Sequence, residues 1–158
     1  MMHQIRTPKL VTAAILWLLF AEFLLGMSVN LFVGLPLHHP GSQAPEYFSG
    51  LVRGIAWALD RGTLLLQLHV ALGLLLVVLA SALFALLLAR GPHRLRLYAG
   101  TGWIGITGAM FNGGSFINYG HDFSSMLMAT GFAIGAASYV LGLLLINRLE
   151  REPGRQGM

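Results

Sequence analysis

An apolar run from Thr63 to Ala89, TLLLQLHVALGLLLVVLASALFALLLA, constrains this chain more than any other stretch. A helix needs about 20 apolar residues, at ~1.5 Å each, to cross a bilayer, and this run is longer than that. One ionisable residue, His69, interrupts it about two turns from its start. Gln67 lies two positions earlier. Any fold must therefore supply neighbours for this helix and a partner for His69.

The rest of the chain supplies more helices of the same kind. Only 10% of its 158 residues are charged and 56% are hydrophobic. Soluble domains carry about 25% charged residues, so this chain has too little charge to cover a water-facing surface. The composition predicts an all-α integral membrane protein. There are no cysteines, which excludes disulfides, thiolate metal sites and cysteine nucleophiles. The net charge of +4 reports topology in a chain of this class and does not indicate nucleic-acid binding.

Read in order, the chain gives a basic tail over residues 1–9 and a first span over about 10–33, with Trp17 and Phe20 among its apolar residues and Glu22 near its middle. This run is too long for a signal peptide and no small-residue cleavage pattern closes it. The segment GLPLHHPGSQAPE follows, and its Pro and Gly residues forbid a continuing helix. In YFSGLVRGIAWALDRG, Tyr47, Leu51, Ile55 and Leu59 fall at helical spacing. This predicts a short amphipathic interfacial helix between helices 1 and 2, with Tyr47 and Trp57 at headgroup level. Further spans are expected over about 63–89, 97–117 and 123–146, completing a four-transmembrane-helix bundle as a single membrane domain over 10–147. Residues 148–158 form a second charged tail, expected to be disordered beyond Pro153.

Eight of the ten Lys and Arg residues lie in the two tails and the loop after the second span, all on one side of a four-span protein. The positive-inside rule then places both termini in the cytoplasm of a multi-pass cell-membrane protein. The third span is rich in glycine, and the fourth contains Gly131 and Gly135 as a G-x-x-x-G pair. Small residues let helices approach closely where lipid offers no hydrophobic drive. They suit a tight hairpin of spans three and four, or a homodimer through Gly131 and Gly135, or a place in a larger membrane complex.

Polar residues gather toward the outer face. His69 lies ~9 Å along its helix from Thr63, and Asn112 comes to similar depth from the other direction. Asn30 ends span one, and Asn118, Tyr119, His121 and Asp122 form the connection before span four, which Asp122 or Ser124 is placed to cap. Polar side chains are costly in hydrocarbon and usually face the bundle interior, pair with one another or line a site. This pattern predicts an outer-leaflet polar pocket, with His69 bonded to Asn112 or a backbone carbonyl, or acting as a ligand. Glu22 lies deeper, where no Lys or Arg is expected. It must be a neutral acid bonded to a group such as Thr107 or Ser81, or a proton or cation site. The adjacent pair His38-His39 is a weak candidate for binding Cu or Zn.

The stretch LQLHVALGLLL, within four spans and with His121 opening the fourth, resembles the four-helix membrane b-type cytochromes, including one half of the haem A synthases. The resemblance implies haem held between imidazoles from facing helices, with His69 and His121 as ligands. The leading expectation is therefore a redox protein that binds b-type haem or quinone, with His69, His121 and Asn112 at the cofactor and Glu22, Asn30 and Asn118 as a substrate or proton site. A structural or assembly subunit of a membrane complex, and a small oligomeric transporter using Glu22, are the alternatives. Soluble enzyme chemistry has little support: the span-three glycines lie in an apolar helix without a flanking strand, so they form no phosphate-binding loop.

Overall fold

The computed structural model describes residues 2–151, with side-chain surroundings from residue 6 onward. Among the described residues the chain forms five helices and no strand: α1 (Met2–Phe32), α2 (Tyr47–Arg61), α3 (Leu64–Arg90), α4 (His93–Tyr119) and α5 (Asp122–Arg151). Three of them are long and apolar enough to cross a membrane: α1 from Arg6, α3 and α5. The fourth long helix, α4, is 27 residues and matches α3 in length. Its glycines and polar residues dilute its apolarity below theirs. The basic stretch before Leu10 is helical from Met2, and the residues beyond Arg151 lie outside the described part.

Local chemistry sets the boundaries. Glu46 caps α2 by accepting from the Ser49 amide, and Thr63 caps α3 by accepting from the Leu66 amide, each at 3.4 Å. Pro92 stands between α3 and α4 and stops the first while starting the second. Gly120 ends α4 in the left-handed conformation, φ +65°, which suits a residue without a side chain. Asp122 is the first residue of α5 rather than a residue before it, and its side chain makes no capping bond. Its charge still suits the positive end of that helix.

The four long helices form a ring. α1 packs on α3 and α5, α4 packs on α3 and α5, and α2 lies across α3 and α4. The start of α1, the end of α5 and the α3–α4 turn share one end. The 33–46 segment, α2 and the α4–α5 turn share the other.

The closest interface is α4–α5, and glycine makes it possible. A Cβ added at Gly105 would lie 2.6 Å from the Gly131 carbonyl oxygen and 2.7 Å from the Gly135 nitrogen. The G-x-x-x-G face of α5 is thus spent on α4 within the chain, and a second copy would have to use another surface.

The apolar core is one cluster: Ile15 and Leu19 of α1, Leu76, Ala80, Leu83 and Leu87 of α3, Leu95, Ala99 and Ile106 of α4, Tyr139 and Ile146 of α5. It fills the half of the bundle that holds the termini. Trp103 of α4 ties this half to α3, stacking on Phe84 and donating to the Ser81 hydroxyl at 2.9 Å.

Candidate functional site

The core seam of α1 reads Thr12, Ile15, Leu19, Glu22, Gly26, in steps of three and four residues. That of α3 reads Leu66, His69, Gly73, Leu76, Ala80, Leu83, Leu87 in the same rhythm. Steps of three and four keep one helical face toward the partner. Glu22 and His69 therefore occupy core positions of two antiparallel helices, just above the point where the apolar cluster ends at Leu19 and Leu76.

The two side chains meet. His69 Nδ1 lies 2.9 Å from Glu22 Oε1, and the side chains keep only 19% and 13% of their surfaces exposed. Glu22 Oε2 is enclosed without a hydrogen-bond partner. Nδ1 is enclosed too, and the carboxylate approaches it at ion-pair distance without hydrogen-bond angles.

Two glycines make room for this. A Cβ at Gly26, one turn beyond Glu22, would stand 3.2 Å from Cε1 of His69. A Cβ at Gly73, one turn beyond His69, would stand 3.1 Å from Oε1 of Glu22. Each polar side chain thus lies over the bare backbone opposite it. The sequence signal is a glycine four residues after each polar group, E-x-x-x-G on α1 and H-x-x-x-G on α3. Either motif alone is common in apolar helices, and only their pairing across two helices carries information.

The pairing also corrects the depths assigned from sequence. His69 is about five residues, ~7.5 Å, into α3, while Glu22 is about ten residues, ~15 Å, from the end of α1. They meet because the two helix ends are staggered, with α1 running ~7.5 Å past the start of α3. Glu22 is bonded neither to Ser81, which donates to the Val77 carbonyl, nor to Thr107, whose hydroxyl is buried without a partner. Asn112 does not reach His69; its amide donates to the Gly108 carbonyl of its own helix at 2.8 Å.

The other expected site residues are not gathered around the pair. Asn30 is exposed near the end of α1, and His121 is exposed at the α4–α5 turn, its ring 6.1 Å from that of Tyr119. Asn118 is buried at 4% exposure, with both amide atoms unpartnered, against the backbone of α2 at Gly54.

The polar corner at the α2 end is joined as a clasp. The Gln43 backbone N–H donates to the Asn118 backbone carbonyl at 3.0 Å, the Tyr119 hydroxyl donates to the Ala44 carbonyl at 3.1 Å, and Tyr47 and Ser115 share a hydroxyl bond of 2.8 Å. His39 belongs to this clasp. Its Nε2 lies 3.0 Å from the Ile117 carbonyl and its ring stacks on Trp57, centroids 4.2 Å apart. Its Nδ1 lies 3.1 Å from the Pro40 carbonyl as well, so both ring nitrogens of His39 are turned to backbone oxygens. Among the described residues no three His, Asp or Glu side chains come together. The two cavities that stand out lie elsewhere, one at Trp17 between α1 and α5 and a small one at Tyr139.

Fold and site together define an all-helical bundle, with three helices fit to cross a membrane and one carboxylate–imidazole pair in its interior. No protein-family model, no curated protein and no solved structure matches the chain.

Proposed function

We propose that this is a multi-pass membrane protein whose working centre, the Glu22–His69 pair, binds and exchanges a proton for a quinone-type hydrogen carrier dissolved in the bilayer. In this reading α1, α3, α4 and α5 all cross the membrane and α2 lies in the interface. Both termini face the cytoplasm, because eight of the ten Lys and Arg residues lie in the two terminal segments and around the α3–α4 turn.

The observation that carries the reading is the 2.9 Å approach of two titratable groups on the core seam. A carboxylate and an imidazole at this distance can pass a proton between them and on to a bound substrate. Such a pair suits proton transfer to or from a quinone oxygen, the electrons coming from or going to a separate electron-carrier protein.

Two further observations favour a lipid-phase carrier over a transporter. The apolar cluster below Leu19 and Leu76 closes the route toward the termini, so the pair is positioned for exchange from one side only. Above the pair, α1 is loosely covered, with Met27, Leu31 and Phe32 at 44%, 66% and 77% exposure. Haem held between two histidines fits less well. His69 is engaged with Glu22 and its ring packs on Gly26. The other histidines with described surroundings, His38, His39, His93 and His121, are exposed or held in the clasp.

A second reading has its own support. The reciprocal seating over Gly26 and Gly73 is also what an interhelical lock needs, as in an assembly subunit. Titrating the reconstituted protein with a soluble quinone analogue, read by tryptophan fluorescence, separates the two. Glu22→Gln and His69→Gln should each weaken binding at least tenfold if the pair is the site. If both variants melt lower yet wild type shows no saturable binding, the pair is a lock and the carrier reading fails.

A further inference from the structure

We infer that the groove between α1 and α5 is a binding site for an anionic phospholipid, one acyl chain lying in the groove and the phosphate held at its basic mouth. This inference rests on the membrane reading above and on no property of the Glu22–His69 pair.

The groove holds about 370 Å³, is open along one side and is lined by Ala13, Leu16, Trp17, Phe20, Val140 and Leu143. Ala13 is the notch: its small side chain leaves the depression, and the Trp17 ring, 74% exposed, forms a wall. From Ala13 to Phe20 the groove runs ~10 Å along the helix axis. Its lining is apolar throughout, so it offers nothing to a headgroup and everything to a hydrocarbon chain.

Charge at one end of the groove selects the lipid. Arg6, Lys9, Ala13, Leu16 and Phe20 recur on α1 in steps of three and four residues, so the two cations continue the groove's own face toward the terminus. Val140, Leu143 and Glu150, with Arg151 beside it, do the same on α5. Lys9 and Glu150 form an ion pair that bridges the two helices below the groove. Arg6 and Arg151 are exposed, and neither pairs with a carboxylate among the described residues. Beyond that ion pair, about two turns from Ala13 and Leu143, the described ends of α1 and α5 therefore carry two guanidiniums, which suit a phosphate diester geometrically as well as by charge. A zwitterionic lipid offers the same chains but cancels that charge with its own ammonium.

Trp17 supplies the test. In a Trp57→Phe, Trp103→Phe background it is the sole fluorophore of its kind. Its quenching by brominated phosphatidylglycerol is compared with that by brominated phosphatidylcholine in vesicles of matched composition. The site predicts stronger quenching by the anionic lipid at equal mole fraction. It also predicts that Arg6→Gln and Arg151→Gln each reduce the selectivity about fivefold, the weight of one basic residue at a lipid surface. Ala13→Phe fills the notch and should abolish selective quenching. Equal quenching by both lipids, or selectivity that survives the Arg6→Gln/Arg151→Gln double variant, overturns the inference while leaving the membrane reading intact. A protein that shows no quenching by either lipid is not in the bilayer, and then both fall.

Discussion

Replacing Glu22 and His69 by leucine, singly and together, tests whether the 2.9 Å approach is a working interaction. Breaking a buried ion pair by deleting one partner costs about 3–5 kcal/mol when the remaining charge is trapped. Here the survivor can escape by becoming neutral, so the cost falls toward that of a buried polar group without a partner, about 1–3 kcal/mol. The side chains are 13% and 19% exposed, which leaves little water to soften this. Glu22→Leu strands Nδ1 of His69, and His69→Leu strands a carboxyl whose Oε2 already has no partner. Each single variant should lose about 2 kcal/mol on that scale. The double variant strands nothing and restores an apolar seam, so it should be no worse than either single. The coupling is then at least about 2 kcal/mol, slightly above the range of polar pairs measured within membranes. Equilibrium unfolding in mixed micelles, followed by far-ultraviolet circular dichroism, measures all four corners of the cycle. Additive losses within about 0.5 kcal/mol would mean that the two groups do not sense each other and that the contact is incidental.

The glycine contacts make two predictions of opposite character. Gly105→Ala places a methyl group 2.6 Å from the Gly131 carbonyl oxygen, an atom of backbone that cannot rotate away, so α4 and α5 must part. The melting temperature should fall, with a loss of about 1–3 kcal/mol. Gly108→Ala on the same helix meets nothing within 4 Å and should raise stability by up to about 1 kcal/mol through helix propensity; a drop there would show that α4 has a neighbour on that face. At the clasp, Gly54→Ala puts a methyl group into the Asn118 amide and should lift α2, speeding hydrogen exchange of its amides. Asn118→Ala should restore protection in the double variant, and failure to do so would separate Asn118 from the seating of α2.

Much of the architecture was legible because membrane-type helices announce themselves by length and apolarity. The expected spans 10–33, 63–89, 97–117 and 123–146 lie within α1, α3, α4 and α5, apart from residues 33 and 63 at two edges. The amphipathic stretch 47–61 is α2. The close approach of α4 and α5 was readable in Gly131 and Gly135, since a small-residue face has few other uses. The site was legible residue by residue but not as a site. Glu22 and His69 both stand out as ionisable groups in apolar runs, but nothing in either run names the other as its partner. Counting from the helix ends puts Asn112 level with His69, whereas its amide satisfies itself on the Gly108 carbonyl one turn back. A short polar side chain on a helix always has that local option, and a depth count cannot see it.

Depth counted from helix ends fails here for a reason that belongs to α2. The chain leaves α1 at Phe32, spends residues 33–46 crossing the end of α4, and returns along α2 before α3 can begin at Leu64. α3 thus starts lower than α1 ends, and the offset of ~7.5 Å is what brings His69 level with Glu22. Were the two ends flush, the imidazole would stand more than one turn above the carboxylate, and Gly26 and Gly73 would face nothing that needs their space. The clasp that holds α2, through the Asn118 and Ile117 carbonyls, Tyr119 and Tyr47, therefore sets the register of the pair from a distance. This gives the polar residues near the α2 end a role without requiring them to touch a ligand. They fix where α3 begins, and the start of α3 decides whether the carboxylate has a partner.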